Sequence, residues 1–188
     1  MKPDWKQIVR PAVVLTVICV VVTALLGGAN ELTRDAIAAQ EAAAEQAARS
    51  EVLPEAKEFR SSDAETVWIG SAGGADVGYV CITQANGYGG RLRVMTGVSA
   101  DGEVTGVSIL SQNETVGLGG SCVKPSFRSQ FLGRIPDGGY SVYKAGSDPY
   151  SGGIAALTGA TITSNAVVSA VNEAVRICQS MEKEGVQP

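Results

Sequence analysis

The residues most able to do chemistry in this chain are hydroxyls. The segment Leu157-Thr158-Gly159-Ala160-Thr161-Ile162-Thr163-Ser164 gathers threonines and a serine around a glycine, directly ahead of a stretch with helical periodicity. A helix start has unpaired backbone N–H groups and a partial positive charge, so it can hold an anionic group such as a phosphate without Lys or Arg. The same residue types also cap helices, and Thr163 or Ser164 in that role is the plain alternative. A second segment, residues 111–120 (SQNETVGLGG), sets Glu114 and Thr115 ahead of Gly117, Leu118, Gly119 and Gly120. Glycines let a backbone approach a planar ligand closely, and they also build ordinary turns. Lys144 stands at the end of a strand-like run, where its ammonium can meet phosphate charge or simply remain in water.

Other chemistries are removed by what the sequence lacks. It contains no histidine, which excludes Ser-His-Asp and Cys-His catalysis, HExxH zinc sites and His-ligated haem together. Cys19, Cys81, Cys122 and Cys178 are too scattered to form a CxxC pair, so thioredoxin-like, zinc-ribbon and Cys-ligated iron–sulfur readings fall away. Cys19 lies in an apolar segment, and the other three read as small buried residues ahead of one disulfide with a thiol left over. The formal charge of −4 and the absence of a Lys/Arg stripe with interleaved aromatics exclude a nucleic-acid groove. No catalytic or metal-ligating constellation remains.

The elements that must position these residues can be read along the chain. Residues 11–29 carry no charge, and at about 1.5 Å per residue they approach the roughly 30 Å of a bilayer's hydrocarbon core. Lys2, Lys6 and Arg10 precede this segment while Glu31, Arg34 and Asp35 follow it, so the positive-inside bias keeps the amino terminus cytoplasmic and the rest outside. A cleaved leader ending near Gly27 or Ala29 is the competing reading, and it also exports the remainder. Residues 31–49 are rich in Ala, Glu and Gln without Gly or Pro and predict a helical stalk that ends before Pro54. Strand character at 66–69, 77–83, 92–98 and 104–110, with turns at 86–90 and 100–102, predicts an antiparallel meander. A short helix is expected at 124–131 and a strand at 140–144. Val167, Val168, Val171, Ala174, Val175 and Cys178 have the spacing of an amphipathic helix over 164–181. The fold class is therefore α+β. Its parts are an anchor at 1–30, a stalk at 31–53, and one antiparallel-sheet domain with a carboxyl-terminal helix at 54–188.

The hydroxyl-rich turn and the glycine loop occur together with the anchor, the Ala/Gln-rich stalk leading to Glu51-Val52-Leu53-Pro54, the Gly87-Tyr88-Gly89-Gly90 turn and Val142-Tyr143-Lys144. In that combination the chain resembles the FMN-binding domain family of the Rnf and Nqr ion-translocating oxidoreductases. The likeness is closest to the RnfG type, with the NqrC type as the related alternative. The resemblance implies FMN joined covalently through its phosphate to the Thr161 side-chain oxygen, by a separate flavin transferase that uses FAD as donor. It further implies Glu114, Thr115, Gly117, Leu118 and Gly119 beside the flavin, and Thr158, Gly159, Ala160 and Thr163 around the phosphate. Lys144 remains a candidate for flavin or phosphate charge.

The function implied is that of an electron-transfer subunit, not catalytic alone. It would work with other membrane and peripheral subunits in the inner membrane, coupling electron flow between ferredoxin and NAD to movement of Na⁺ or H⁺. Two positions depart from the family pattern. Val116 stands where a proline is usual, and Ala155 stands where an aspartate usually precedes the modified threonine by six residues; the nearest upstream carboxylate is Asp148. That missing carboxylate keeps open an exported scaffold domain that has lost its flavin. A hydrolase using Thr161 as nucleophile has no histidine to activate it.

Overall fold

The computed structural model describes residues 5–62, 66–144 and 152–185; Lys2 and Asp148, on which two of the sequence readings draw, lie outside them. One helix, α1 (Trp5–Val52), contains both the anchor and the stalk segments. Packing divides the chain into two compact units, Met1–Ala43 and Ala44–Pro188.

In the first unit the part of α1 over residues 11–29 is uncharged and uncovered by protein, with Val13, Leu15, Ile18, Val21 and Leu25 all exposed. A helix of that length and composition can cross a membrane. Two of its hydroxyls bond within the helix: Thr16 Oγ1 donates to the Ala12 carbonyl at 2.9 Å and Thr33 Oγ1 to the Ala29 carbonyl at 3.0 Å. Such back-bonding removes the cost of carrying an unpaired O–H into hydrocarbon.

The second unit is built on an antiparallel meander of six strands in sequence order. These are β1 (Glu58–Ser61), β2 (Val67–Ala72), β3 (Ala75–Asn86), β4 (Arg91–Ser99), β5 (Glu103–Ser111) and β6 (Gly133–Arg134). The period-2 alternation of strand side chains sends Val80, Ile82 and Met95 to one face, where Ala48 and Val52 at the end of α1 and Leu53 and Ala56 beyond it cover them. Cys81, Leu92, Val94 and Val107 face the other way, against Val167, Val171, Ala174 and Cys178 of α3 (Thr161–Gly185). The helix predicted over 164–181 is thus present, starting three residues earlier, and its apolar stripe is the core face.

The end of α1 is tied down by more than apolar contact. Thr105 Oγ1 donates to the Val52 carbonyl, one of the acceptors that a helix terminus leaves without an intrahelical donor. Arg93 pairs with Glu45 at 2.6 Å, Arg128 with Glu51 at 2.9 Å, and the Arg49 guanidinium sits 4.3 Å from the centre of the Trp68 ring. Residues assigned to the stalk by composition therefore form part of the sheet's packing.

Two local features differ from expectation. The helix expected at 124–131 is a single turn, α2 (Pro125–Arg128), between 3₁₀ turns at Gly119–Val123 and Ser129–Phe131. Phe127 and Phe131 are both buried and pack edge to face at 5.7 Å, so two aromatic anchors rather than helix propensity shape this stretch. The strand expected at 140–144 is β7 (Ser141–Tyr143), which pairs in parallel with β8 (Gly153–Ala155) apart from the meander. Asn172 of α3 holds its approach by accepting from the Tyr140 N–H and donating to the Tyr140 carbonyl, both at 2.8 Å. As the sequence suggests, Cys81, Cys122 and Cys178 are buried free thiols. Burial pushes Cys81 up to about 12, and raises Cys122 and Cys178, so none has the thiolate character of a reactive cysteine.

Candidate functional site

Among the described residues, no side chain caps the first turn of α3. The Ser164 N–H reaches the Ala160 carbonyl at 3.0 Å, which makes Ala160 the last residue before the helix, and alanine has no cap to offer. Ser164 is buried and doubly committed: its Oγ accepts from the Leu157 N–H at 2.9 Å and donates to the Ala160 carbonyl at 2.9 Å. Thr163 is also buried, and its hydroxyl donates to Glu114 Oε2 at 2.8 Å. Neither hydroxyl caps the helix, which disposes of the plain reading of this segment. The N–H groups of Thr161, Ile162 and Thr163 have no carbonyl within the helix to bond, so the positive end of α3 is open. Thr161 is exposed beside it.

The glycine loop packs against this turn. Its backbone closes on the Thr115 carbonyl, which accepts from Leu118 N at 3.1 Å and Gly120 N at 3.0 Å, with Gly117 at φ +83° making the bend. Glu114 is only 7% exposed. Its Oε2 accepts from Thr163, while Oε1 accepts from the Gly89 N–H at 3.0 Å in the turn between β3 and β4. Gly87 and Gly119 lie so close that a Cβ on either would collide with a carboxylate oxygen.

Between these segments lies a cleft of about 530 Å³. Among the residues singled out from sequence, Glu114, Thr115, Leu118, Gly119, Gly159, Ala160, Thr161 and Thr163 line it. Thr158, Gly117 and Lys144 do not line it: Thr158 is exposed in the turn before α3, Gly117 forms the bend of the loop, and Lys144 is exposed at the end of β7. Two lining residues were not anticipated, Tyr88 and Ile162. Tyr88 is 76% exposed on a turn of glycines, and an aromatic in such a turn has no core to reach, which is the signal that could have found it. No Lys or Arg lines the cleft among the described residues. An anion in this cleft would meet the helix end and backbone amides rather than a cationic side chain.

An exposed threonine at an open helix start faces a cleft with Tyr88, Leu118 and Ile162 on its rim, and this cleft lies in a domain of the FMN-binding class. Residues 87–176 match the FMN-binding domain family, and residues 1–52 match the RnfG N-terminal region. The chain is 34% identical to the G component of the Na(+)-translocating ferredoxin:NAD(+) oxidoreductase complex of Acetobacterium woodii, with 96% of each chain covered. It is 33% identical to the G component of the proton-translocating ferredoxin:NAD(+) oxidoreductase complex of Clostridium ljungdahlii, with 86% of each covered. The fold is that of NqrC from Shewanella oneidensis, with a TM-score of 0.54 at 21% identity over 72% of this chain and 73% of that one. The chain belongs to the RnfG family of ion-translocating oxidoreductase complexes.

Proposed function

We propose that this chain is an electron-transfer subunit whose FMN occupies the cleft and is joined through its phosphate to the Thr161 oxygen. The observation that carries the reading is the uncapped first turn of α3 with Thr161 exposed beside it. The cleft of about 530 Å³ lies within the roughly 300–1,000 Å³ of sites that hold molecules of this size. FMN, when bound, supplies transfer of electrons singly or in pairs.

The chain's own residues place and shield the group. The amides of Thr161, Ile162 and Thr163 hold phosphate charge at the helix end, with Thr158, Gly159 and Ala160 shaping the turn beneath it. Tyr88 and Leu118 offer apolar surface to a planar ring and limit water around it. Lys144 is exposed at the end of β7 and does not line the cleft, so its charge is given no part in holding the phosphate. Attachment belongs to a separate flavin transferase, since the chain has no histidine to activate Thr161. The partners are the other subunits of a membrane complex. Its activity is the one for which the Acetobacterium and Clostridium relatives are named: electron flow between ferredoxin and NAD(+) coupled to Na⁺ or H⁺ movement. A single crossing by α1, with the sheet domain on the extracytoplasmic side, completes the reading.

The test is in-gel flavin fluorescence after denaturation of the full chain co-expressed with a flavin transferase. Label is expected on the unchanged chain and none on Thr161→Ala. A dark band from the unchanged protein, also when purified from its own membrane, sinks covalent attachment and favours the scaffold alternative.

A further inference from the structure

Resting on the flavin reading, we infer that Glu114 is a positioning residue: its carboxylate ties the turn that carries Tyr88 to the helix start that carries Thr161. The family resemblance implies Glu114 beside the flavin, and it does line the cleft, but both its oxygens are engaged by the protein. Oε1 accepts from the Gly89 N–H at 3.0 Å and Oε2 from the Thr163 hydroxyl at 2.8 Å. A carboxylate is acceptor-only, so it suits this place between two donors. Thr163 is fully buried and lies two residues beyond Thr161, while Gly89 adjoins Tyr88. One side chain thus bridges the phosphate end and the ring end of the cleft.

The surroundings are shaped around that bridge. A Cβ at Gly87 would collide with Oε1, and one at Gly119 would collide with Oε2 and stand 2.6 Å from Thr163 Oγ1. The Glu114 N–H is itself held by Gln112 Oε1 at 2.6 Å, which fixes the backbone from which the carboxylate reaches. Both glycines leave room for the carboxylate. Removing it would free the β3–β4 turn from α3 and leave a buried hydroxyl and an amide without their acceptor. The Thr161 oxygen would then be held less closely in the position that a transferase must meet.

Glu114→Gln separates a tie from a charge, because a carboxamide can accept from Gly89 N–H through its oxygen and donate to Thr163 through its nitrogen. The full chain is co-expressed with a flavin transferase, and two quantities are read: the initial rate of covalent labelling, and amide hydrogen exchange at Gly89 in protein without flavin. Glu114→Ala should slow labelling by about tenfold or more, as small misplacements of a reacting group do, and speed Gly89 exchange by a similar factor. Glu114→Gln should stay within about twofold of the unchanged chain in both. Thr163→Val, which keeps the carboxylate and removes one partner, should change both in the same direction by less, and covers the case in which Glu114→Ala does not fold.

Unchanged labelling and exchange in Glu114→Ala, or in Thr163→Val should the alanine variant not fold, overturns the inference. So does a Glu114→Gln variant as impaired as the alanine one, which would show the charge acting directly on flavin or transferase. An unlabelled parent chain defeats the flavin reading instead; the Gly89 exchange rates then decide the tie alone, and equal rates in all variants overturn it.

Discussion

Thr161 and Thr163 are two residues apart and have opposite surroundings: one is exposed at the cleft, the other fully buried against Glu114. The T-x-T-S pattern brings both to a helix start, but only the packing distinguishes the accessible hydroxyl from the buried one. Thr161→Ser should retain part of the covalent label seen on a denaturing gel, because it keeps the nucleophilic oxygen, while losing the methyl that restricts the rotamer. Ala155, where the family pattern has an aspartate, gives its N–H to Gln130 Oε1 at 2.7 Å and brings no carboxylate to β8. Ala155→Asp should therefore raise the labelled fraction if that carboxylate assists recognition by the transferase. Full labelling of the unchanged chain would show it to be dispensable. The buried thiols predict a pH effect. Burial holds Cys81 at about 12 against an ordinary 9.0. A folded pKa above the unfolded one means that this contribution to stability is whole below pH 9, and is lost as pH rises towards 12. The urea midpoint should fall across that alkaline window and fall less steeply in Cys81→Ala.

At the scale of elements, legibility had two sources. The apolar spacing of α3 was readable because the helix buries one face, which imposes a period of 3.6; β3 and β4 are buried on both faces and were readable instead as short β-branched runs bounded by turn residues. The edge strand β1 (EFRS) is mostly exposed, so nothing forces its side chains to alternate. β8 spans three residues, too few to carry a pattern. The end of α1 was read as solvated stalk because its Ala, Glu and Gln suit either environment. In the structure Val52 and Leu53 are fully buried on the sheet. Leu53→Ala in the full chain should cost about 2–5 kcal/mol by chemical denaturation, and a version starting at residue 54 should fail to give a cooperative thermal transition where one starting at 44 does. Equal melts of those two truncations would show that the docked end contributes nothing. Thr96 is a further case that a strand pattern hides. It is buried between Cys81 and Val107 in register, and its hydroxyl has no hydrogen-bond partner among the described residues. Thr96→Val should therefore be neutral or raise stability by about 1 kcal/mol, since no hydrogen bond is lost and an unpaired hydroxyl is removed.

Taken whole, the chain joins a bare apolar helix to a domain whose thiols are all inside, and this allows its sidedness to be measured directly. Lys6 and Arg10 precede the apolar stretch and Glu31, Arg34 and Asp35 follow it, and the proposed orientation, with the amino terminus in the cytoplasm, rests on that bias. Cys81, Cys122 and Cys178 are buried, and Cys19 lies within the apolar stretch of α1, so a membrane-impermeant maleimide should find little to label on the native chain. Asp101, exposed at the tip of the β4–β5 turn and far in sequence from the cleft residues, can carry a reporter thiol. Asp101→Cys should label in intact spheroplasts as fully as in lysed ones if the domain is extracytoplasmic. Labelling only after lysis would place the domain in the cytoplasm and reverse the orientation of α1. Amino-terminal sequencing of the same membrane-derived protein separates an anchor from a removed leader. A mature chain that begins near Asn30 would mean that the domain is exported but not held by α1, whereas retention of Met1–Arg10 together with labelled Asp101→Cys fixes a single crossing.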